Sequence, residues 1–224
     1  MPNNLELKKI LSYDDVAKFP AGDDQEGLVD VTTYDTSIVT TYLKEDMLEI
    51  TGEIIYVRNS LAARLAAVNK KLKELGLRLK VVYGYRHPEV QERYFLKRRN
   101  DIKLQFPHFT DNQIDRYTHN FVAVPDVAGH PAAAAVDLTV IDANGDDLDM
   151  GSPIADYADP SKITTFTDGL TDVQTENRRI LHDLMVASEF APFYGEWWHF
   201  SYGDREWAAF YNKKALYGAI KFKN

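Results

Sequence analysis

Two histidines and an aspartate are the residues of this chain best suited to hold a metal ion. His130 and Asp137 lie seven positions apart in "HPAAAAVD", and His199 follows much later in "EWWHF". Two imidazole nitrogens and one carboxylate oxygen suit zinc, and three protein ligands leave a fourth position for water. Asp137 stands in an apolar strand pattern and needs a partner, because a buried unpaired carboxylate is costly. A metal is one such partner; backbone N–H groups or an arginine are the alternatives.

Glu196 precedes His199 by three positions and is the candidate general base. A carboxylate beside metal-activated water can accept its proton. The aromatic stretch "FYGEWWHFSYGDREW" favours a strand. In an ideal strand, positions three apart point to opposite faces. A bulge or bend must therefore lie between Glu196 and His199 if both serve one site. Taken alone, the stretch fits an aromatic core strand equally well.

Arg86 follows the apolar run "VVYGY" at the predicted end of a strand. A guanidinium there can stabilise an oxyanion that develops on an attacked carbonyl, and a surface arginine at a helix start is the alternative. His182 lies among leucines in a helical pattern and is expected to be structural. His87 precedes Pro88 and is expected to cap a helix.

These candidates fall between helices and strands that the apolar periodicity predicts. Helices are predicted over residues 56–76, 87–102 and 173–190, strands over 77–85 and 133–141, and a long loop over 149–171. The strands lie too close in sequence for crossover connections. The pattern predicts an α+β fold with a central antiparallel sheet and helices packed on it.

Length and composition indicate one globular domain. The chain has 224 residues, of which 45% are hydrophobic, and residues 1–50 are predicted to form an N-terminal extension that packs on the core. The absence of cysteine excludes disulfides, thiolate zinc sites and cysteine nucleophiles. No segment has the ~20 apolar residues of a membrane span.

The net charge of −8 makes the chain a poor match for nucleic acid or an anionic membrane, so neither is an expected partner. The densest basic run, "LKRRND" at 96–101, is typical of a solvated helix face. The first residues lack the apolar region of a signal peptide. We expect a cytoplasmic protein, with a secreted or cell-wall form as the alternative. The oligomeric state is not indicated.

Several stretches together resemble the zinc D-alanyl-D-alanine dipeptidases, the group that includes the vancomycin-resistance dipeptidase. This group belongs to the clan of D-Ala-D-Ala carboxypeptidases and lysostaphin-type peptidases. The resemblance covers about residues 50 to 210 and is carried by residues 56–86, "GHPAAAAVDLTV" (129–140), "LDMGSP" (148–153), "ENRRIL" (176–181) and "GEWWHFSYGDREWA" (195–208).

The resemblance implies a role for each matching residue. His130, Asp137 and His199 match the family's zinc ligands. Glu196 matches the catalytic base, and Arg86 matches the arginine that stabilises the transition state. The implied fold is the α+β fold shared by hedgehog domains and D-Ala-D-Ala peptidases, and the implied cofactor is Zn²⁺.

The substrate-binding positions match the family less closely. Asp156 lies near the family's acidic residue that receives the substrate's amino group, although this loop carries one residue more. Ala128 and Ala133 stand where the family motif has serine and glycine. The zinc chemistry is untouched by these changes, but the sequence does not fix the preferred dipeptide.

Three functions follow from this interpretation. The first is a zinc dipeptidase that hydrolyses D-Ala-D-Ala or a closely related small dipeptide. The second is a peptidoglycan carboxypeptidase or endopeptidase with the same zinc site. The third is a non-catalytic binding domain of the same fold, which a complete set of ligands, base and arginine argues against.

Overall fold

The computed structural model describes residues 9–43, 45–157 and 159–222. Seven strands occur in this part of the chain: β1 (Leu28–Asp30), β2 (Val39–Thr40), β3 (Tyr56–Arg58), β4 (Arg78–Tyr83), β5 (Ala135–Ile141), β6 (Ala191–Pro192) and β7 (His199–Ser201). Five of them form the central sheet in the order β2-β4-β5-β7-β6, and β1 pairs with β3 in a small second sheet.

The central sheet is antiparallel except at one edge, where β2 pairs with β4 in parallel. The predicted α+β class with a central antiparallel sheet is confirmed, and the two-residue strand β2 is the exception. Asp137 on the middle strand β5 lies opposite Tyr83 of β4 on one side and opposite His199 of β7 on the other. The sheet register therefore brings two of the three candidate metal ligands together.

Seven α-helices surround the sheets in the described residues: α1 (Tyr13–Ala17), α2 (Leu48–Thr51), α3 (Asn59–Glu74), α4 (Pro88–Gln105), α5 (Asp111–His119), α6 (Asp172–Ala187) and α7 (Arg205–Tyr211). The three long helices predicted from the periodicity are α3, α4 and α6. The first begins later than predicted, because residues 56–58 pair with β1 instead of continuing the helix. His87 caps α4 as predicted, since its Nδ1 accepts from the N–H of Glu89 at 3.3 Å.

The core lies between α3, α6 and the central sheet. Leu61, Leu65 and Leu72 of α3 are buried against Val136 and Leu138 of β5. Burying each such side chain stabilises the fold by about 1.5–3 kcal/mol. Because alternate β5 residues fill this core, Asp137 must point to the opposite face of the sheet. No helix of the described residues has the length and apolar character to cross a membrane.

The chain turns sharply just before β7, over residues 193–198. The N–H of Glu196 donates to the carbonyl of Phe193 at 3.0 Å, and the N–H of His199 donates to the carbonyl of Glu196 at 3.3 Å. The predicted strand is thus wrong for this segment, and the required bend between Glu196 and His199 is confirmed. Gly195 permits the turn, because a Cβ there would lie 2.6 Å from the ring of Phe193.

Residues 28–50 supply strands to both sheets, since β1 pairs with β3 and β2 pairs with β4. The helix α1 lies against α7 near the other end of the chain. The division into a core and an extension that ends at residue 50 stays a prediction.

Candidate active site

A cavity of about 470 Å³ opens beside the central sheet and contains the candidate catalytic residues. Two walls enclose it. The sheet wall comprises Tyr83, His130, Asp137 and His199. The outer wall comes from α4, the segment after α5 and the long loop (residues 149–171), and comprises Tyr94, Arg98, Phe121, Ala155 and Tyr157.

Asp137 lies between the two histidines of the sheet wall. Its Oδ1 is 3.0 Å from His199 Nδ1, and its Oδ2 is 3.4 Å from His130 Nε2. The imidazole rings of His130 and His199 have centroids 5.0 Å apart and meet edge to face. Strands β5 and β7 place two of these residues, and a short 3₁₀ turn over His130–Ala132 places the third.

Each imidazole has a second partner on its side away from Asp137. His130 Nδ1 lies 2.8 Å from the carbonyl oxygen of Gly84. A carbonyl can only accept, so this nitrogen donates and Nε2 keeps its lone pair. His199 Nε2 lies 3.8 Å from the carboxylate Oε1 of Glu206 on α7, an oxygen with no hydrogen-bond partner among the described residues. His130 therefore directs an acceptor nitrogen at Asp137, whereas His199 Nδ1 donates to the carboxylate of Asp137, which can only accept.

Burial and neighbouring charges shift the pKa values of the three ligand side chains. Burial lowers the pKa of His130 to about 4, although the negative charge of Asp137 acts to raise it. Burial acts the same way on His199, but the carboxylates of Glu206, Asp137 and Glu196 overcome it and raise its pKa to about 10. Burial opposes ionisation of Asp137, yet the two imidazoles hold its pKa well below the usual range. Once His199 loses its proton, the cluster offers a divalent cation two neutral imidazoles and one carboxylate.

The three side chains fit a zinc ion by donor type and spacing. One ligand atom from each of His130, Asp137 and His199 lies within 4.8 Å of the others. Ligands 2.0–2.2 Å from a shared tetrahedral ion stand about 3.4 Å apart. The two separations from Asp137, 3.0 and 3.4 Å, lie close to that value. With three protein ligands, a fourth position remains for water or substrate.

Glu196 is buried at the junction of the two walls. Burial raises its pKa to about 7, partly offset by the attraction of His199. The hydroxyl of Tyr157 donates to Glu196 Oε1 at 2.6 Å and also lies 3.2 Å from the carbonyl oxygen of Phe121. A residue of the long loop thus orients the candidate base from the outer wall.

Arg86 is held between aromatic rings and an amide. Its Nη1 donates to the Oε1 of Gln91 at 2.8 Å, and its Cζ lies 4.4 Å from the ring centre of Tyr83 and 5.1 Å from that of Tyr94. Both tyrosine hydroxyls donate to the carboxylate of Asp46. This arrangement fixes the guanidinium at the edge of the cavity with little freedom to turn.

A close contact between two chain segments positions the turn that carries His130. Asp204 is buried and caps α7, where its Oδ1 accepts from the N–H of Trp207 at 2.8 Å. A Cβ on Gly129 would lie 2.0 Å from the Oδ2 of Asp204, so only glycine fits there. Ala133 ends the same turn with φ of 55°, the left-handed conformation that favours glycine.

The long loop of the outer wall is fastened by one buried arginine. Arg178 of α6 is 1% exposed, and burial lowers its pKa to about 10. Its guanidinium donates to the carbonyls of Met150 (2.7 Å), Lys162 (2.6 Å) and Thr164 (2.6 Å). A second attachment joins Trp197 Nε1 to the hydroxyl of Ser152 at 3.0 Å.

The structure brings together five of the six predicted site residues. Arg86, His130, Asp137, Glu196 and His199 line one cavity. Asp156 is exposed and is not among the described residues that line it, whereas its neighbours Ala155 and Tyr157 are. The role of Asp156 with the substrate's amino group stays a prediction. Ala128, at the position of the family's serine, also lines the cavity.

Two further residues of the site, Tyr157 and Glu206, were not predicted from the sequence. Tyr157 lies in a long loop without periodicity, and no local signal marks it. Glu206 reads as an ordinary acidic residue in the first turn of a helix. Its place within "GDREW", a few residues after the candidate ligand His199, is the only signal in the sequence that could have indicated its role.

Comparison with known proteins identifies a peptidase family to which the chain is similar. The M15 peptidase family, described as D-Ala-D-Ala dipeptidase, matches residues 31–217. A D-alanyl-D-alanine dipeptidase of Synechocystis is 32% identical over 108 residues, which cover 41% of this chain and 44% of that protein. One of Streptomyces coelicolor is 27% identical over 146 residues, which cover 63% of this chain and 70% of that protein.

Among solved structures, the vancomycin-resistance D,D-pentapeptidase VanY, a mutant in complex with Zn(II), aligns with a TM-score of 0.43. It is 18% identical, over 83% of this chain and 89% of that chain. The match to the Synechocystis protein spans less than half of that relative's length. The family match, by contrast, covers most of the present chain and includes every candidate ligand. The chain belongs to the M15 peptidases, the D-Ala-D-Ala dipeptidase family.

Proposed function

We propose that this protein is a zinc-dependent dipeptidase that hydrolyses D-Ala-D-Ala or a closely related small dipeptide. The observation that carries the proposal is the cluster of His130, Asp137 and His199 with buried Glu196 and Arg86 in the same cavity. Membership of the M15 family supports the same reaction.

His130, Asp137 and His199 would hold the zinc ion. Bound zinc supplies Lewis-acid polarisation of the scissile carbonyl and lowers the pKa of water. Gly84 fixes the tautomer of His130 by accepting from its Nδ1. Glu206 faces His199 Nε2 at 3.8 Å, and its negative charge would favour a proton on that nitrogen and so leave Nδ1 free for zinc. Such outer partners fix ring orientation and strengthen the ligand nitrogen.

Glu196 would act first as a base and then as an acid. It accepts a proton from the attacking water and returns it to the nitrogen of the leaving amino acid. Burial raises its pKa, so the group is a better proton acceptor than an ordinary carboxylate and can still return the proton. The hydroxyl of Tyr157 holds one carboxylate oxygen and leaves the other to meet water.

Arg86 would stabilise the negative charge that develops on the carbonyl oxygen. Its charge is permanent, and Gln91 and the rings of Tyr83 and Tyr94 fix its position before substrate arrives. A donor that is already oriented does not have to reorganise during the reaction.

A second candidate function uses the same residues on a larger substrate, as a peptidoglycan-peptide carboxypeptidase or endopeptidase. The cavity favours it in one respect, since about 470 Å³ and an outer wall with Phe121 and Tyr157 offer more apolar surface than two alanine methyl groups can cover. Ala128 also lacks the hydroxyl with which the family's serine holds the carboxylate end.

The test is hydrolysis by the purified protein, before and after removal of metal with a chelator and restoration with zinc. The substrates are D-Ala-D-Ala, L,D-dipeptides and muropeptides. We expect zinc-dependent release of free amino acid from the small dipeptides. Turnover of muropeptides alone would favour the second function. Full activity after complete metal removal would contradict both.

A further inference from the structure

Arg98 of α4 is a cation of the outer wall that the proposed mechanism does not use. Its Cζ lies 4.2 Å from the ring centre of Phe121 and 5.8 Å from that of Tyr157. Tyr157 in turn donates to Glu196. The guanidinium therefore lies one aromatic side chain away from the candidate base and lines the same cavity.

The polar atoms of Arg98 have no partner within the described part of the chain. No hydrogen bond or ion pair to this side chain is present there, and its Nε is buried. The next residue, Arg99, shows what a structural arginine on this helix does: it pairs with Asp111 at 2.8 Å and Asp115 at 2.5 Å. Asp101 also lines the cavity but lies beyond ion-pair distance of Arg98 within the described residues.

The other cations of the cavity are less suited to meet an anion. Arg86 also has a buried Nε without a hydrogen-bond partner among the described residues, but its Nη1 donates to Gln91 and two tyrosine rings flank its guanidinium. Lys97 is exposed, and its long side chain would lose conformational entropy when it binds a ligand. Arg98 is half-buried, and Phe121 supports one face of its guanidinium, so little conformational entropy is lost when the group binds a ligand.

We infer that Arg98 is a specificity-determining residue that binds a carboxylate of the substrate. The inference rests on the proposed function, in which a small peptide with a free carboxylate occupies the cavity. A guanidinium can donate two parallel hydrogen bonds to a carboxylate, and such pairs are among the stronger polar contacts in proteins. The carboxylate is either the C-terminal one of a dipeptide or an acidic side chain of the substrate.

Equilibrium binding to the zinc-loaded Glu196→Gln protein tests the inference without turnover. The ligands are D-Ala-D-Ala, its C-terminal amide, and a dipeptide amide with an acidic second side chain. Each is titrated by calorimetry into the Glu196→Gln protein and into the same protein with Arg98→Gln, Arg98→Lys or Arg93→Gln. Arg93 is the matched control, because it lies on the same helix but does not line this cavity.

We expect Arg98→Gln to weaken binding of the carboxylate ligand by about 10- to 100-fold, the effect of one lost charge-assisted contact. Arg98→Lys restores part of the affinity, and Arg93→Gln leaves it unchanged. The amide of D-Ala-D-Ala, which lacks the carboxylate, binds the parent and the Arg98→Gln protein equally. If Arg98 binds the C-terminal carboxylate, D-Ala-D-Ala loses affinity in Arg98→Gln. If Arg98 binds an acidic side chain, the acidic dipeptide amide loses affinity instead.

Equal weakening of carboxylate and amide ligands would assign Arg98 a structural role and overturn the inference. So would unchanged binding in Arg98→Gln, or no binding of any carboxylate ligand to the parent. The proposed function is judged separately by wild-type turnover. If the wild-type protein hydrolyses the dipeptide but substitution of Arg98 does not change binding, only the inference about Arg98 is wrong. If binding depends on Arg98 but no hydrolysis occurs, only the proposed function is wrong.

Discussion

The two walls of the cavity are built in different ways. The sheet wall takes its positions from strand register, with Asp137 opposite Tyr83 and His199. The outer wall depends on side-chain contacts to irregular backbone, chiefly the bonds from Arg178 to the long loop. One wall thus carries the candidate metal ligands, and the other carries Arg98 and the orienting hydroxyl of Tyr157.

This difference indicates how one zinc site could serve different substrates. A sheet register tolerates little change, because a shift by one residue moves every side chain to the other face. Loop contacts can be altered residue by residue while the sheet stays intact. Ala128 and Asp156 lie in segments outside the strands, whereas Asp137 and His199 lie on β5 and β7.

Loosening the outer wall should leave the metal site intact. Arg178→Met removes three strong donors to loop carbonyls, and we expect the free energy of unfolding to fall by about 2–4 kcal/mol. The affinity for zinc should stay within about two-fold of wild type, while turnover falls because Tyr157 loses its fixed position. Urea unfolding and a competitive chelator assay measure the two quantities.

The neighbouring Arg179 supplies the control for this variant. It is exposed and pairs with Glu176 and Asp183, so Arg179→Met should change stability by less than about 1 kcal/mol. A large loss of zinc affinity in Arg178→Met would show that the two walls are not independent.

The sheet wall should in turn depend on α7 through Glu206. Glu206→Leu removes the carboxylate that faces His199 Nε2, and we expect zinc to bind about 10- to 100-fold more weakly. Glu206→Gln keeps an acceptor oxygen and should lose less. Competition with a chromophoric chelator gives the affinities, and ¹⁵N NMR of the imidazole reports the tautomer of His199. Wild-type affinity in Glu206→Leu would mean that the strands alone position this ligand.

A change outside both walls should affect stability alone. Glu189 follows α6 with φ of 67°, a left-handed conformation that is unfavourable for residues with a Cβ. Glu189→Gly should raise the free energy of unfolding by about 0.5–1 kcal/mol without changing zinc affinity or turnover. Glu189→Ala is the control, since it removes the ion pair with Arg64 but keeps the strain. A gain of stability in the alanine variant would refute this explanation.

The sheet wall could be predicted from the sequence because its signals are local. The spacing of His130 and Asp137 and the apolar pattern of β5 each constrain one element, whereas the aromatic run before His199 predicts a strand where the chain turns. The partner of His199 could not be predicted in the same way, since nothing in "REW" tells a buried Glu206 from an exposed one.

The basic run at 96–101 is a second place where the sequence did not predict the side-chain contacts. Its composition predicts a solvated helix face, and Leu96 and Lys97 are exposed as expected. Arg98 instead turns its guanidinium onto Phe121, which lies in a loop beyond the next helix. Contacts between distant segments of this kind leave no periodic signal, and Tyr157 on Glu196 is a second example.

Zinc content and turnover of the Glu196→Gln protein, measured beside wild type, test whether Glu196 is the base of a zinc-dependent hydrolysis. Glutamine keeps the size of the side chain and can still accept from Tyr157, but it cannot take a proton from water. We expect one zinc ion per chain in both proteins and a rate lower by about 10²- to 10⁴-fold in the variant. Unchanged turnover in Glu196→Gln, or a folded wild-type protein that binds no zinc, would contradict this mechanism.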